Sequence, residues 1–146
     1  CAAALRGPLG AAVGPGGASK HVGSALGGIR AGACRSINIK RGRVGGVGAS
    51  IRLHDLCAAH GIPVWHGGMV ESGIGRAANV HLSTLPNFTL PGDIAASKRY
   101  FDPDLIDPPI EVAADGTVAV PTAAGIGVSI NHSRVDAATL RKTEVR

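Results

Sequence analysis

The segment from Gly61 to Ala77, GIPVWHGGMVESGIGRA, constrains the fold more than any other part of this 146-residue chain. A short apolar run of strand length ends at the pair Gly67-Gly68, and a helix-period segment then begins, with Glu71 where a helix N-terminus favours an anion. The order strand, glycine-containing loop, helix is one step of an α/β fold, in which the loop after the strand carries the chemistry. A complete (β/α)₈ barrel needs roughly 200–250 residues, so the chain holds at most part of one.

Strands and helices of the same kind flank this segment. Ile37-Asn38-Ile39-Lys40 alternates, which places Ile37 and Ile39 on one face of a strand and Asn38 and Lys40 on the other. The next helix is predicted from residues on one helical face, namely Ala49, Leu53, Leu56, Cys57 and His60, followed by Gly61 at the C-cap. A further helix is predicted from Val70, Ile74, Ala77, Ala78, Leu82 and Leu85, and a short strand from Asn87 to Leu90. Residues 37–93 therefore predict parallel strands joined by right-handed crossovers.

The two ends of the chain differ from this pattern. Residues 1–28 consist almost entirely of Ala, Gly, Pro, Ser, Arg and Leu without periodicity, which predicts loop or disorder. Downstream, Asp115-Gly116 between two β-prone runs predicts a hairpin, and residues 125–130 are a further candidate strand. We therefore divide the chain into an irregular segment over 1–28, a partial barrel over 29–104, and a β extension with a frayed tail over 105–146.

Composition and charge narrow the classes of partner. The net charge is +5, and eight Lys or Arg precede the first acidic residue, Asp55, but they are scattered among glycines without aromatic interleaving or a helical stripe. No apolar stretch of about 18 residues predicts a membrane span. Three cysteines, without metal spacing, favour reduced thiols in a cytoplasm. We expect a cytoplasmic protein that binds neither nucleic acid nor membrane.

Lys40 is the strongest candidate for chemistry on pattern alone. A lysine on the inward face at a strand end is desolvated, which favours the neutral amine and suits the residue to proton transfer. The alternative without a function is a solvated lysine just past the end of a strand. His66, also at a strand end, fits a packed histidine better than a ligand-facing one, and Trp65 is assigned to the core. Glu71 and Asp93 fit a helix-start charge and a turn former better than catalytic acids.

The spacing Gly73-x-Gly75-x-x-Ala78, with Asp93 downstream, imitates a dinucleotide-binding fingerprint. Six residues separate His66 from Gly73, whereas the fingerprint directly follows its strand. We therefore reject a Rossmann-type site. The six histidines do not form a metal-binding set.

Four segments of the chain together resemble the C-terminal part of o-succinylbenzoate synthases and N-acylamino acid racemases. These enzymes belong to the muconate lactonizing subgroup of the enolase superfamily. The resemblance is carried by residues 37–46, 62–77, 82–93 and 97–100. It covers about residues 29–135 of the chain.

The resemblance implies an α/β fold, with strands six to eight of a modified (β/α) TIM-type barrel, a C-terminal β-hairpin extension, and a separate capping domain elsewhere. Enzymes of this family abstract a proton α to a carboxylate between two lysines and hold the enolate on a divalent metal, usually Mg²⁺, with Mn²⁺ as an alternative. By resemblance, Lys40 is the catalytic sixth-strand lysine. The positions matching the substrate-bordering loops are Gly67, Gly68, Met69, Val70, Asp93 and Tyr100.

The sequence also departs from the family pattern at a position that the family uses to bind its metal. Counting back about two dozen residues from Lys40 reaches Gly16, where the family carries a metal-binding carboxylate, and a glycine has no side chain to bind Mg²⁺. The other metal ligands and the second lysine would lie upstream, and residues 1–28 are interpreted as degenerate or frame-shifted.

We therefore expect an inactive fragment of an enzyme that acts on a small carboxylate substrate and that forms a homo-oligomer at full length. Synthase and racemase activities stay open at this point. The alternative is a non-catalytic α/β module that binds a partner through an open sheet edge.

Overall fold

The computed structural model describes residues 22–144, which divide into two units. The first comprises the described residues up to Met69 together with Leu82–Ile94, and the second comprises Val70–His81 together with the chain from Ala95 onward. Among the described residues, no helix is long and apolar enough to cross a lipid bilayer.

The first unit is a small parallel sheet with helices. Its elements in chain order are α1 (Val22–Arg30), β1 (Ile37–Ile39), the single turn α2 (Arg41–Val44), α3 (Val47–Ala59) and β2 (Val64–His66). β1 and β2 pair in parallel, with Ile37 opposite Val64 and Ile39 opposite His66. The α/β class and the parallel strands predicted from the sequence are confirmed.

The third predicted strand, over residues 87–90, is reduced to isolated bridges. Val64 bridges Phe88 and Gly67 bridges Asp93, both in parallel, which extends the pairing on the other side of β2. The strand prediction is therefore wrong in extent, because only the positions next to β2 find a ladder partner.

The core of the first unit confirms the predicted alternation along β1. Ile37, Ile39 and Val64 are fully buried together with Leu53 and Cys57 of α3. Trp65 is paired with Asn38 on the opposite face of the sheet and is half-buried. Its assignment to the core is therefore wrong, since among the described residues the core cluster does not include it.

Residues 22–28, predicted to be irregular, belong to the helix α1. Ala25 is buried in it, and Val22 and Ile29 pack against the same core. These three positions lie on one helical face, and their burial outweighs the low helix propensity of Gly27 and Gly28. Residues 1–21, with Gly16, lie outside the described part of the chain.

The second unit contains most of α4 (Gly73–Leu82), a 3₁₀ turn (Ser97–Arg99), β3 (Ile106–Asp107), β4 (Ser129–Ile130) and α5 (His132–Ala138). β3 and β4 pair antiparallel, with Ile106 opposite Ile130. The strand predicted within residues 125–130 is thus present over its last two residues.

The predicted hairpin at Asp115-Gly116 forms its turn without its strands. Gly116 has a φ of 84°, and the Ala113 amide donates to the Thr117 carbonyl at 2.8 Å. Asp115 accepts hydrogen bonds from both the amide and the hydroxyl of Thr117, which closes the turn locally. The flanking residues are mostly exposed, so no apolar face stabilises a ladder there, and the hairpin prediction is wrong.

Candidate functional site

The candidate site of the first unit lies where β1 and β2 end. Lys40 follows β1, Gly67 and Gly68 follow β2, and Asp93 bridges Gly67. The carboxyl ends of neighbouring parallel strands meet at one edge of a sheet, which is where ligands bind in open α/β folds. Lys40 Nζ donates a hydrogen bond to the Gly68 carbonyl oxygen at 2.9 Å. The proposed acid–base lysine is therefore fixed against the loop that the sequence resemblance assigns to the substrate.

The two glycines of this loop allow the close approach of its neighbours. A Cβ on Gly67 would collide with the Asn38 amide and would lie 2.8 Å from Lys40 Cε. A Cβ on Gly68 would collide with the backbone carbonyl oxygen of Asp93. Glycine is therefore required at both positions for the site to keep this geometry.

We expect the Gly68→Ala substitution to lower the free energy of unfolding by about 1–3 kcal/mol, because its Cβ meets backbone that cannot rotate away. Urea unfolding of the purified chain measures this change. The matched control is Gly27→Ala in α1, where a Cβ would meet nothing within 4 Å and alanine favours the helix. Equal stability of the Gly68→Ala variant and the parent chain would contradict this account of the loop.

The other predicted site residues are placed as follows. Met69 is partly exposed, and a Cβ on Gly42 would lie 3.4 Å from its sulfur, so it lies beside the α2 turn. Asp93 has an exposed side chain. Val70 and Tyr100 are also exposed, and both belong to the second unit. The structure thus brings together Lys40, Gly67, Gly68 and Asp93.

Asn38 is a site residue to which sequence analysis assigned no role. Its side chain lies against Gly67 on the Lys40 face of β1 and is only 7% exposed. Its Oδ1 atom has no hydrogen-bond partner within residues 22–144. The signal in the sequence was its position two residues before Lys40 on the same strand face.

His66 is a packed histidine, as the sequence analysis favoured. It is 1% exposed, lies on the core face of β2 and stacks on Phe88 with ring centroids 5.9 Å apart. Burial, together with the positive charges of Arg41 and Lys40, lowers the pKa of His66 to about 4. The imidazole is therefore neutral at physiological pH.

A buried ion pair organises the second unit. Arg76 is 2% exposed and donates to Asp104 Oδ2 at 3.2 Å, to Ser97 Oγ at 3.4 Å and to the Glu71 carbonyl at 2.9 Å. Asp104 Oδ1 accepts from the Gly73 amide at 2.8 Å, which caps the first turn of α4. Sequence analysis missed Arg76 and Asp104, because no local pattern relates positions 28 residues apart.

Glu71 is also accounted for by contacts with α4. Its side chain accepts a hydrogen bond from Asn79, and its backbone carbonyl accepts one from Arg76. Glu71 itself precedes α4 by two residues, and the first turn of the helix contains no acidic residue, so the contacts with Arg76 and Asn79 hold Glu71 against the helix without making it a helix-start charge.

Comparison with known proteins decides the family. Residues 16–134 match the family model described as enolase C-terminal domain-like. The chain belongs to this family. The o-succinylbenzoate synthase of Geobacillus stearothermophilus is 55% identical over 105 residues, which are 72% of this chain and 28% of that protein.

Two further relatives support this enolase-type assignment. The N-succinylamino acid racemase of an Amycolatopsis species is 53% identical over 114 residues, covering 78% of this chain and 30% of that protein. A crystal structure of an enolase superfamily member from Listeria innocua superposes with a TM-score of 0.86 at 36% identity, covering 93% of this chain and 36% of that one. This enolase-type chain therefore spans less than a third of the length of these two curated relatives.

The Mg²⁺ implied by the resemblance finds no ligand set in the described part of this enolase-type domain. Among residues 22–144, no group of three or more His, Cys, Asp or Glu is arranged to hold a metal ion. Asp93 contributes one exposed carboxyl at the strand ends, and the Glu71 side chain is bound to Asn79. The described residues therefore do not fit a Mg²⁺ ion.

Proposed function

We propose that this chain carries one acid–base lysine of an enolase-superfamily enzyme that abstracts a proton α to a carboxylate. The reaction is either the dehydration that forms o-succinylbenzoate in menaquinone synthesis or the racemisation of N-acylamino acids. The observation that carries the proposal is Lys40, held 2.9 Å from the Gly68 carbonyl where the parallel strands end. The names of the relatives, a synthase and a racemase, support both reactions equally.

Lys40 acts in this proposal through two protonation states. As a neutral amine it takes the α-proton of the substrate, and as an ammonium it donates a hydrogen bond to the enolate oxygen. The closely packed glycine loop at Gly67-Gly68 brings backbone rather than side chains to the bound substrate. Met69, Val70, Asp93 and Tyr100 border the substrate by resemblance.

We further propose that the isolated chain is inactive, because residues 22–144 contain no group of carboxylates arranged to hold a metal ion, and the resemblance assigns none of their lysines other than Lys40 to the pair that transfers the proton. The full enzyme would use Mg²⁺ or Mn²⁺, work in the cytoplasm as a homo-oligomer, and bind a small carboxylate substrate.

A chimera tests the proposal directly. Residues 22–144, which keep α1 and α5 whole, are joined to the upstream region of the Amycolatopsis N-succinylamino acid racemase and assayed for racemisation and for o-succinylbenzoate formation. We expect turnover by the chimera and none by the isolated chain. Lys40→Met in the chimera lowers kcat about 10²- to 10⁴-fold, because it removes a general acid–base group.

The matched control is Lys98→Met, at a lysine whose side chain is 72% exposed, and we expect it to leave kcat unchanged. Mg²⁺-dependent turnover by the isolated chain would contradict its proposed inactivity. An active chimera in which Lys40→Met keeps the parent rate would remove Lys40 from the chemistry.

The second candidate function is a non-catalytic module that binds a partner through a sheet edge. In the described part of the chain, β1 pairs with β2 alone, which leaves its outer backbone edge available for another strand. This function is favoured if the chimera has no activity while the isolated chain folds and is captured by an extended peptide. Light scattering then separates partner binding from self-association.

A further inference from the structure

The amide oxygen of Asn38 lies beside Lys40 without a hydrogen-bond donor. The side chain is 93% buried, and Oδ1 has no partner within residues 22–144. A buried carbonyl oxygen without a donor is costly, so such an atom in a native site calls for a partner that it meets in some state of the protein.

Asn38 and Lys40 meet over Gly67. An ideal Cβ built on Gly67 collides with Asn38 Oδ1 and lies 2.8 Å from both Asn38 Nδ2 and Lys40 Cε. Both side chains therefore occupy the same small space above a residue without a side chain. Rotation about the Cδ–Cε bond of Lys40 moves only Nζ, at the end of a C–N bond of about 1.5 Å, and so changes the distance between Nζ and the Asn38 amide without moving Cε.

An ammonium group has three N–H donors and needs an acceptor for each. The structure assigns one, the Gly68 carbonyl oxygen at 2.9 Å. We propose that Asn38 is a positioning residue for Lys40, and that its Oδ1 atom is the second acceptor of the Lys40 ammonium. With two N–H groups held by Asn38 and Gly68, the third is directed towards the strand ends.

This inference rests on the proposed function of Lys40 and deepens it. A lysine that both takes and returns a proton must keep one orientation in its two protonation states. Asn38 supplies an acceptor that stabilises the charged state and cannot itself ionise, so it orients the amine without fixing its charge. The N–H group that faces the substrate is then the one that is lost and regained when the proton is transferred.

Competitive acylation of the lysines by acetic anhydride, read by mass spectrometry at pH 8, tests the contact without any turnover. The reagent reacts with the neutral amine, and exposed Lys98 serves as the internal reference. In Asn38→Leu the ammonium loses an acceptor, so we expect Lys40 to react about threefold faster or more relative to Lys98. In Asn38→Asp the acceptor is charged, so we expect Lys40 to react about threefold slower or more.

The opposite directions separate positioning from simple damage to the fold. A structural disturbance would change the reactivity of Lys40 in the same direction in both variants, and that result overturns the inference, as does an unchanged rate in both. Circular dichroism confirms folding, and Asn38→Ala replaces Asn38→Leu if the leucine variant does not fold.

The two proposals fail separately. If the acylation rates shift as expected while Lys40→Met leaves the chimera active, the catalytic role of Lys40 is wrong and the Asn38 contact stands. If Lys40→Met inactivates the chimera while both Asn38 variants label as the parent does, the contact is wrong and the catalytic role stands.

Discussion

Replacing Arg76 by leucine lowers the free energy of unfolding by about 3–5 kcal/mol, because it leaves the carboxylate of Asp104 buried without its counter-charge. Asp104 has a side chain that is 0% exposed, and Arg76 is 2% exposed. Because both side chains are buried, neither the guanidinium nor the carboxylate can become hydrated when the other is removed. Asp104→Asn has a similar cost for the converse reason, since it leaves the guanidinium buried. Urea unfolding, followed by far-UV circular dichroism, measures both changes.

The chain contains a matched control for this experiment. Lys98 and Glu111 form an ion pair at 3.9 Å in the same unit, with side chains 72% and 55% exposed. Lys98→Leu should change stability by less than about 1 kcal/mol, because exposed pairs contribute little. The double variant Arg76→Leu/Asp104→Asn should cost less than the two single changes added together, since the two residues interact directly. Full additivity would show that the buried pair does not act as a unit.

The second large effect is a dependence of stability on pH that His66 causes. The folded-state pKa is about 4 and the ordinary value is 6.5, so between these two pH values the unfolded chain binds more protons than the folded one. The free energy of unfolding therefore falls as the pH falls through this window, by about 3 kcal/mol in total at roughly 1.4 kcal/mol per unit. Above pH 7 the imidazole is neutral in both states and the contribution is constant.

His66→Cys isolates this effect. Removing the imidazole costs packing against Phe88 at every pH, but it removes the slope that the titration of His66 adds between pH 6.5 and 4. Carboxylates that titrate in the same window are unchanged, so the difference between variant and parent reports His66 alone. His60→Gln, at an exposed helix end, serves as the control and should keep the slope. A parental slope in His66→Cys would contradict the burial of an uncharged ring.

Local patterns were sufficient to predict the strand that positions the site. The alternation of Ile37 to Lys40 is decided by adjacent residues, and it correctly separated the core face from the face that carries Asn38 and Lys40. The turn at Asp115-Gly116 was also predicted correctly, because its hydrogen bonds join residues two to four apart.

Features that depend on distant partners were not predictable in this way. The strands expected beside that turn needed an apolar surface to cover, and exposed flanks do not provide one. The helix at Val22–Arg30 is poor in helix formers and is stabilised by the core that Ala25 enters. The Arg76–Asp104 pair joins two segments with no shared pattern, and only the folded chain shows that they meet.

Because Asp104 caps α4 at Gly73, the position at which the C-terminal region is truncated affects the stability of α4. The predicted boundary between residues 104 and 105 lies inside the second unit, and Arg134 donates to the Asp104 carbonyl at 2.8 Å and to Asp107 at 2.9 Å. A polypeptide that stopped at this boundary would keep Arg76 but would lose the anchor that holds its counter-charge. Shortened versions for expression therefore need to extend through α5, because they would otherwise lose the Arg134 contact of the residue that caps a helix beginning more than thirty residues earlier.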